Sequence, residues 1–523
     1  NLFGMVGTNM RRSSVNITDG QTNGGLVVPG VYSFSNSVNT PEAADETDAA
    51  RAVDGYLGRA TLAYDRFLYL DISARYDVSS TLPVDNNSFF YPAATASLIY
   101  SEIFDISGMD FGKLRLNYAQ VGNDAPMQRL QNIYNIGTPF GSSTLASAPN
   151  TGYNNTLLPE NTTSLEIGFE NKFFNNKLGL DLTLYSATTE NQILAIRPSS
   201  SSGTYLQYVN AGKVENKGIE LQLYANVLKS GDFSWDTRIN WARNRNKVLE
   251  LTGNLETYQL GSFQGGVTVE ATIGESYGSI KGTDFVYHDG EKIVINHPSA
   301  SRGGMVYGKT ASTQTIGNIM PDWTGGWTNT FTYKNLTASA LIDVQWGGNF
   351  FSLDTWYGYG TGIYADQAGE NVDGNEARLS IADGGGHDIG GVVASQDADG
   401  NYLLDADGNF TSDGTENSTY AFVGDYNNYA GWKNAPNAMH VYDATYIKLR
   451  QLSISYSLPK SMFSGKGFQG IDIGIMARNL AILHKKSPHT DPEAGLSAGN
   501  IQGYQSGAYP AVRELGFNVT FKF

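Results

Sequence analysis

Fourteen stretches of this chain alternate apolar and polar side chains with a period of two, and the connections between them alternate between short and long. A period of two places successive side chains on opposite faces of a strand. The final stretch, Arg513–Phe523, reads RELGFNVTFKF. Leu515, Phe517, Val519, Phe521 and Phe523 share one face; Gly516, Asn518, Thr520 and Lys522 share the other. The last strand of a water-soluble sheet tends to fray. An oily strand with an aromatic last residue suits the seam of a closed barrel in a membrane, apolar side chains toward lipid and polar ones toward the lumen.

The expected strands are Leu2–Met10, Ala52–Tyr64, Phe67–Asp77, Pro92–Ile103, Lys113–Val121, Thr163–Phe174 and Leu178–Ile196. Then follow Asn216–Leu228, Phe233–Lys247, Trp323–Tyr333, Leu336–Phe350, Ala444–Leu458, Ile471–Leu483 and Arg513–Phe523. Tight turns are expected at Asp65-Arg66, Asn175-Asn176-Lys177, Lys229–Asp232 and Lys334-Asn335, where Gly, Asn and Asp favour reversal. About a dozen residues, including Pro459 and Gly465, join the twelfth strand to the thirteenth. Long connections are Arg11–Arg51, Gly122–Asn161, Val248–Asp322, Phe351–Asp443 and His484–Val512. In the twelfth strand the apolar parity moves from Ile447 and Leu449 to Leu452, Ile454 and Tyr456, which predicts a β-bulge near Gln451. The reading is all-β: a transmembrane, antiparallel, up-and-down β-barrel with an even strand count, short turns on the periplasmic side and long extracellular loops. Loops this long exceed what a connection needs, so they are expected to carry function.

Composition narrows the function. Charged residues are 16% of the chain, below the roughly 25% usual in soluble proteins. No run of about 18 apolar residues occurs, so transmembrane helices are not expected. The net charge of −16 argues against nucleic acid as a partner, because phosphate binding needs clustered cations. Much of the acidity lies in presumptive loops, Glu42–Asp54 and Asp397–Glu416. Cysteine is absent, which leaves no disulfide framework and no thiolate metal site. No signal peptide opens the chain, and Asn1 leads straight into a strand, the pattern expected of a mature fragment.

Few motifs suggest chemistry. No G-x-S-x-G occurs, so the chain is not expected to be an enzyme and no cofactor is expected. The histidines, His288, His297, His387, His440, His484 and His489, show no helical ligand spacing for zinc. Sequons such as Asn161-Thr-Thr read as chance. Two units, Asp397-Ala-Asp399-Gly400-Asn401 and Asp405-Ala-Asp407-Gly408-Asn409, could bind Ca²⁺ through clustered oxygens. Their spacing does not match an EF-hand, and a hairpin flanked by Asx turns is the expected structure. The aromatic segment Phe350–Gly360, with Tyr364, Tyr420, Tyr426, Tyr429 and Trp432, is the best candidate for ligand contact. Trp356, Tyr357, Tyr359 and Trp432 are the expected substrate-binding residues, since flat rings stack on sugars beside polar groups. Phe350 and Phe351, next to the strand, are expected in the aromatic girdle at the membrane interface.

Several stretches resemble one family. Ala74–Leu82, Phe89–Phe104, Leu114–Asp124, Leu157–Leu194, Asn210–Leu223, Ile319–Leu336, Asp443–Pro459 and Ala477–Leu483 are similar to the carboxy-terminal part of SusC/RagA-type TonB-dependent outer-membrane transporters of Bacteroidota. Val78 departs from a glycine usual there. The resemblance implies a barrel of about 22 strands, of which about eight would lie outside this sequence. It also implies a TonB box and a plug domain outside residues 1–523. The implied activity is TonB-driven import of oligosaccharides or oligopeptides across the bacterial outer membrane. The implied partners are a SusD-like lipoprotein lid, the TonB complex and outer-membrane lipid. A siderophore or vitamin receptor and a passive porin are the competing readings.

Overall fold

The computed structural model describes residues 1–41, 44–253, 255–299, 302–463, 469–497, 499 and 502–522. Glu42, Gly465 and the aromatic terminus Phe523 lie outside the described residues. Fourteen strands form one sheet in chain order. They are β1 (Leu2–Asp19), β2 (Asp45–Tyr64), β3 (Leu68–Ser79), β4 (Ser88–Ile99), β5 (Met109–Asn123), β6 (Glu160–Phe173) and β7 (Leu178–Glu190). Next come β8 (Lys213–Ser230), β9 (Phe233–Glu250), β10 (Trp323–Tyr333), β11 (Leu336–Trp346), β12 (Tyr446–Ser457), β13 (Gly470–Lys485) and β14 (Glu514–Lys522). Each pairs antiparallel with the next, from β1 against β2 to β13 against β14. The sheet is not closed: β1 and β14 are its two edges.

The two faces differ as the alternation requires. On β13 and β14, Ile473 faces Val519 and Ile475 faces Phe517 across the ladder. These side chains and their like on β3, β10 and β12 are exposed, among them Ile72, Trp327 and Tyr456. A continuous apolar belt has no place against water but matches the lipid face of a barrel. The other face is polar and holds ion pairs such as Arg115 with Asp181 at 2.6 Å and Arg59 with Asp71 at 2.7 Å. Among the described residues no helix is long and apolar enough to cross a membrane.

The turns follow their residues. Asp65, Asn175, Asn176 and Lys334 take positive φ between neighbouring strands, as does Gly231. The expected bulge is present. Leu341 pairs with Gln451 and Ile342 with Leu449, so Arg450 is the extra residue of β12.

Four expectations need correction. β1 and β2 continue beyond Met10 and start before Ala52, pairing from Arg11↔Val53 to Asp19↔Asp45. In β1 this extension has one wholly polar face, with Arg12 bonded to Asp54, and only Val15 and Ile17 as apolar residues on the other, too few for hydrophobic periodicity to reveal it. The seventh strand ends at Glu190, and Ile193–Ile196 pairs in a separate sheet. The alternation of connections is not strict, since residues 80–87 on the long-loop side are fewer than 100–108 or 458–469 on the other. Finally, Phe350 and Phe351 are not girdle residues: they are 6% and 0% exposed. β11 stops at Trp346 because Gly347 and Gly348 take φ of 75° and 78°. A Cβ at Gly347 would lie 2.5 Å from Asp322 Oδ2. The chain then turns away from the wall into Asn349–Ser352.

That short strand lies between Val441–Asp443 and Tyr504–Gln505. It joins the β11–β12 loop to the β13–β14 loop. A four-stranded sheet in the β9–β10 loop (Thr257–Phe263, Val267–Thr272, Ser279–Gly282 and Gln314–Asn318) completes the group. Val267, Val269 and Ile280 from the first loop, Phe351 and Leu353 from the second, and Tyr504 from the third form one core. Phe263 stacks on Tyr504 at 4.1 Å. The long loops thus build a packed body with its own hydrophobic centre.

The faces give a direct test. Phe517→Arg on the apolar face should cost about 2–4 kcal/mol in vesicles, while Asn518→Arg on the polar face should cost about 1 kcal/mol or less. Denaturant unfolding in lipid vesicles measures both. Equal costs would contradict the facing assigned to β14.

Candidate functional site

The candidate residues sit on and around one helix of the loop body, α1 (Leu353–Thr361). Ser352 caps it, its Oγ accepting from Thr355 N at 3.1 Å, and Asp354 adds a carboxylate in the first turn. Both suit a helix N-terminus. Gly362 ends it at φ 69°, a common left-handed stop. Leu353 enters the loop core, and Trp356 and Tyr357 pack against that core from outside.

Three of the four expected residues meet. Trp356 stacks on Trp432 at 5.9 Å and 27°, Tyr357 meets Trp432 edge-on at 5.5 Å, and Trp356 meets Tyr357 at 5.0 Å. Gly360 makes this possible, because a Cβ there would lie 2.3 Å from Trp432 Nε1. Tyr426 extends the group at 6.0 Å from Trp432. Trp432 and Tyr426 are 37% and 62% exposed, whereas Trp356 and Tyr357 are half-buried behind them. The exposed face of this group is therefore formed by Trp432 and Tyr426; Tyr426 was expected in the wider aromatic group but not among the four.

Tyr359 belongs to a second group. Its hydroxyl donates to Asp366 Oδ2 at 2.7 Å and lies 3.4 Å from His489 Nε2. Its ring lies 5.0 Å from Tyr364, which stacks on His489 at 3.8 Å. Burial, then the bond to Asp366, pushes the Tyr359 phenol far up, and burial pushes Tyr364 up to about 12. Both phenols stay neutral at physiological pH and act as hydrogen-bonding groups. Beneath them His440 is fully buried, its Nδ1 3.4 Å from Thr355 Oγ1. Burial holds its imidazole down to about 4. Trp356 Nε1, Gln367 Oε1 and His440 Nε2 are buried without a hydrogen-bond partner.

The repeated Asp units behave as turns. Asp397 Oδ1 accepts from the backbone N–H of Asp399 at 3.0 Å and Asn401 at 2.9 Å. Asp405 Oδ1 accepts likewise from Asp407 at 2.9 Å and Asn409 at 2.8 Å. These bonds hold both carboxyls below the usual range. Bridges Gln396↔Tyr402 and Leu404↔Phe410 place each unit at a hairpin tip. Among the described residues, no three or more His, Asp or Glu side chains gather where they could hold a metal ion.

Sequence reasoning missed the polar groups under the loop body. On the lumen side Lys448, Arg450, Asp343, Asp491 and Glu493 form one ionic network. The parity slip at Gln451 was its only trace. A groove of about 500 Å³ lies further along the same face, lined by Arg115, Asp181, Glu220, Asn240 and Asp343 among others.

An antiparallel meander with an apolar outer belt, a charged lumen and a folded loop body defines a barrel of the outer-membrane type. Comparison with known proteins sharpens this. Residues 2–374 match the family model described as TonB dependent receptor-like, beta-barrel. The chain belongs to the TonB-dependent receptor β-barrel family. It is 25% identical over 494 residues to TonB-dependent receptor P3 of Formosa agariphila, covering 89% of this chain and 45% of that protein. It is 27% identical over 211 residues to TonB-dependent receptor SusC of Bacteroides thetaiotaomicron, covering 38% of this chain and 21% of SusC. The solved structure of the RagAB peptide transporter superposes with a TM-score of 0.75 at 19% identity, over 100% of this chain and 53% of that chain. That likeness establishes the fold. The chain spans about half the length of the first curated relatives it matches, 45% and 48%.

His440 gives a pH prediction. Its folded value of about 4 lies below the ordinary 6.5. As pH falls, the unfolded form takes up the proton first. Loop-body stability should therefore be full above about 6.5, fall between about 6.5 and 4, and level off below, with a total loss of up to about 3 kcal/mol. Unfolding followed by tryptophan fluorescence across that range measures it. His440→Asn should remove this slope; an unchanged slope in the variant would assign it to other groups.

Proposed function

We propose that the chain is the carboxy-terminal part of the barrel of an outer-membrane nutrient importer driven by TonB. A plug, a TonB box and the remaining strands would be supplied by the rest of the protein. The cargo is a polar oligomer, an oligosaccharide or an oligopeptide. A SusD-like surface lipoprotein covers the loops as a lid. The observation that carries this reading is the pairing of an outward apolar belt with a folded loop body that presents Trp432 and Tyr426 above a charged lumen. A passive pore needs no such body, and the body's hydrophobic core comes from three separate loops. The likeness to SusC and to the RagAB peptide transporter supports the same class.

The aromatic face suits a flat polar ligand. Rings supply stacking area, and the same loop carries the acceptors Asp373, bonded by Tyr420 at 2.6 Å, and Asp366, bonded by Tyr359 at 2.7 Å. Such a mixture of aromatic and polar groups suits polar ligands.

The test is uptake by cells that carry the gene intact, deleted, or with Trp432→Ala. Deletion of the gene or of TonB should abolish growth on the cognate oligosaccharide or oligopeptide. Trp432→Ala should weaken binding about tenfold, as expected when a central stacking ring is removed. Recovery of the protein from detergent should bring down a lipoprotein. Uptake that survives loss of TonB, or a barrel recovered alone, would overturn the reading.

A further inference from the structure

On the lumen side of β12, two cations grip a segment of the β13–β14 loop by its acids. Lys448 Nζ donates to Asp491 Oδ1 at 2.7 Å and also to Glu493. Arg450 Nη2 donates to Glu493 Oε1 at 2.7 Å, and its Nε donates to Asp343 Oδ2 at 3.0 Å. The Tyr446 hydroxyl donates to Glu493 Oε1 at 3.0 Å. The Lys448 and Asp491 side chains are 3% and 7% exposed, so this pair is sealed from water. Two residues before Asp491, on the same strap, stands His489, stacked on Tyr364 and beside the Tyr359 hydroxyl. Residues 489–493 therefore connect the barrel wall to the group of Tyr359 and Tyr364, and Tyr359 shares α1 with Trp356 and Tyr357 of the Trp432 group.

Two observations mark this as more than a fastening. Buried ion pairs are costly to desolvate, and apolar replacements of similar volume are often neutral or stabilising. Stability alone gives no reason for two cations and three carboxylates here. The backbone is also adapted to them. The register skips from Leu449 to Gln451 against β11, and β13 skips at the same place. The period of two already sets Arg450 on the lumen side with Lys448, and the extra residue there moves the apolar parity that follows to Leu452, Ile454 and Tyr456. Arg450 Nη1 further donates to Asn479 Oδ1 at 2.7 Å, where Asn479 takes φ 48°.

We propose that Asp491-Pro492-Glu493 is an ionic latch through which the barrel wall sets the position of the aromatic site. Engaged, it holds His489 against Tyr359 and Tyr364. Released, it frees residues 486–495 and loosens the Tyr364 side of the site. Lys448 and Arg450 are positioning residues in this scheme. The inference rests on the reading of the aromatic surface as the ligand site, but the latch can be tested without ligand. A second part of the strap supplies the control. Gln505 Oε1 accepts from Ser352 Oγ at 2.6 Å, and Gly507 N donates to Asp354 Oδ1 at 2.7 Å, neither of which involves the latch.

The experiment is hydrogen–deuterium exchange on the full chain in detergent, for Lys448→Met, Lys448→Arg and the milder Glu493→Gln. Lys448→Met and Glu493→Gln should speed exchange over 362–368 and 486–495 by roughly fivefold or more. Residues 503–507 and the strands β6–β10 should stay as in the unaltered chain, and Lys448→Arg should restore slow exchange. Acrylamide quenching, read as the difference between chains with and without Trp432→Phe, should rise in the same two variants. Faster exchange confined to 486–495 would overturn the coupling to the site. Equal acceleration at 503–507 in the mild variant, or no rescue by arginine, would overturn the latch. Failure of the site reading shows separately, as unimpaired uptake by Trp432→Ala beside an intact latch result.

Discussion

A membrane interior offers no water to backbone N–H and C=O groups, so a strand there must satisfy them against its neighbours. Everything in this chain follows from that constraint. Each strand of the meander pairs with the next, and the period of two then sends every second side chain to lipid. One residue of slip would reverse the faces. Apolar pairs such as Ile475↔Phe517 hold the register on the outside. Ion pairs such as Arg115 with Asp181 and Lys522 with Asp472 hold it on the inside. A slip at Arg450 occurs where that side chain pairs with Asp343 of the wall and Glu493 of a loop.

Outside the membrane the physics changes from ladder to core. The loops are long enough to bury apolar surface of their own, and they do so by pooling residues from three connections. Phe351 is the centre of that body: it is fully buried, its N–H donates to Gly503 O at 2.8 Å, and its ring stacks on Tyr504 at 5.8 Å. The helix that follows it carries Trp356 and Tyr357 outward, and Gly360 lets Trp432 lie against them. The exposed face of Trp432 and Tyr426 is thus a by-product of loop packing.

The barrel was largely legible in the sequence because each strand declares itself locally. Trp323–Tyr333 matched at both ends, and the parity slip located the bulge at Arg450. Legibility failed where apolar residues are sparse, as in Arg11–Asp19, and where partners are far apart in the chain. Phe350 and Phe351 read as girdle residues because they follow a strand. What buries them, Tyr442 and Tyr504, comes from elsewhere in the chain. Of the four rings that composition grouped, Trp356, Tyr357 and Trp432 lie together, whereas Tyr359 falls in a different cluster. The acids Asp491 and Glu493 gave no local sign of their cations, since a salt bridge has no period.

The central claim is a membrane barrel with its long loops outside the cell and its short turns inside. The chain contains no cysteine, so a single introduced thiol reports its position without background. Asp407→Cys sits at a hairpin tip of the β11–β12 loop, and Lys334→Cys sits in the β10–β11 turn. Treated as intact cells with a membrane-impermeant maleimide, Asp407→Cys should label at once. Lys334→Cys should label only after the outer membrane is permeabilised. Labelling of Lys334→Cys in intact cells, or protection of Asp407→Cys there, would contradict the account.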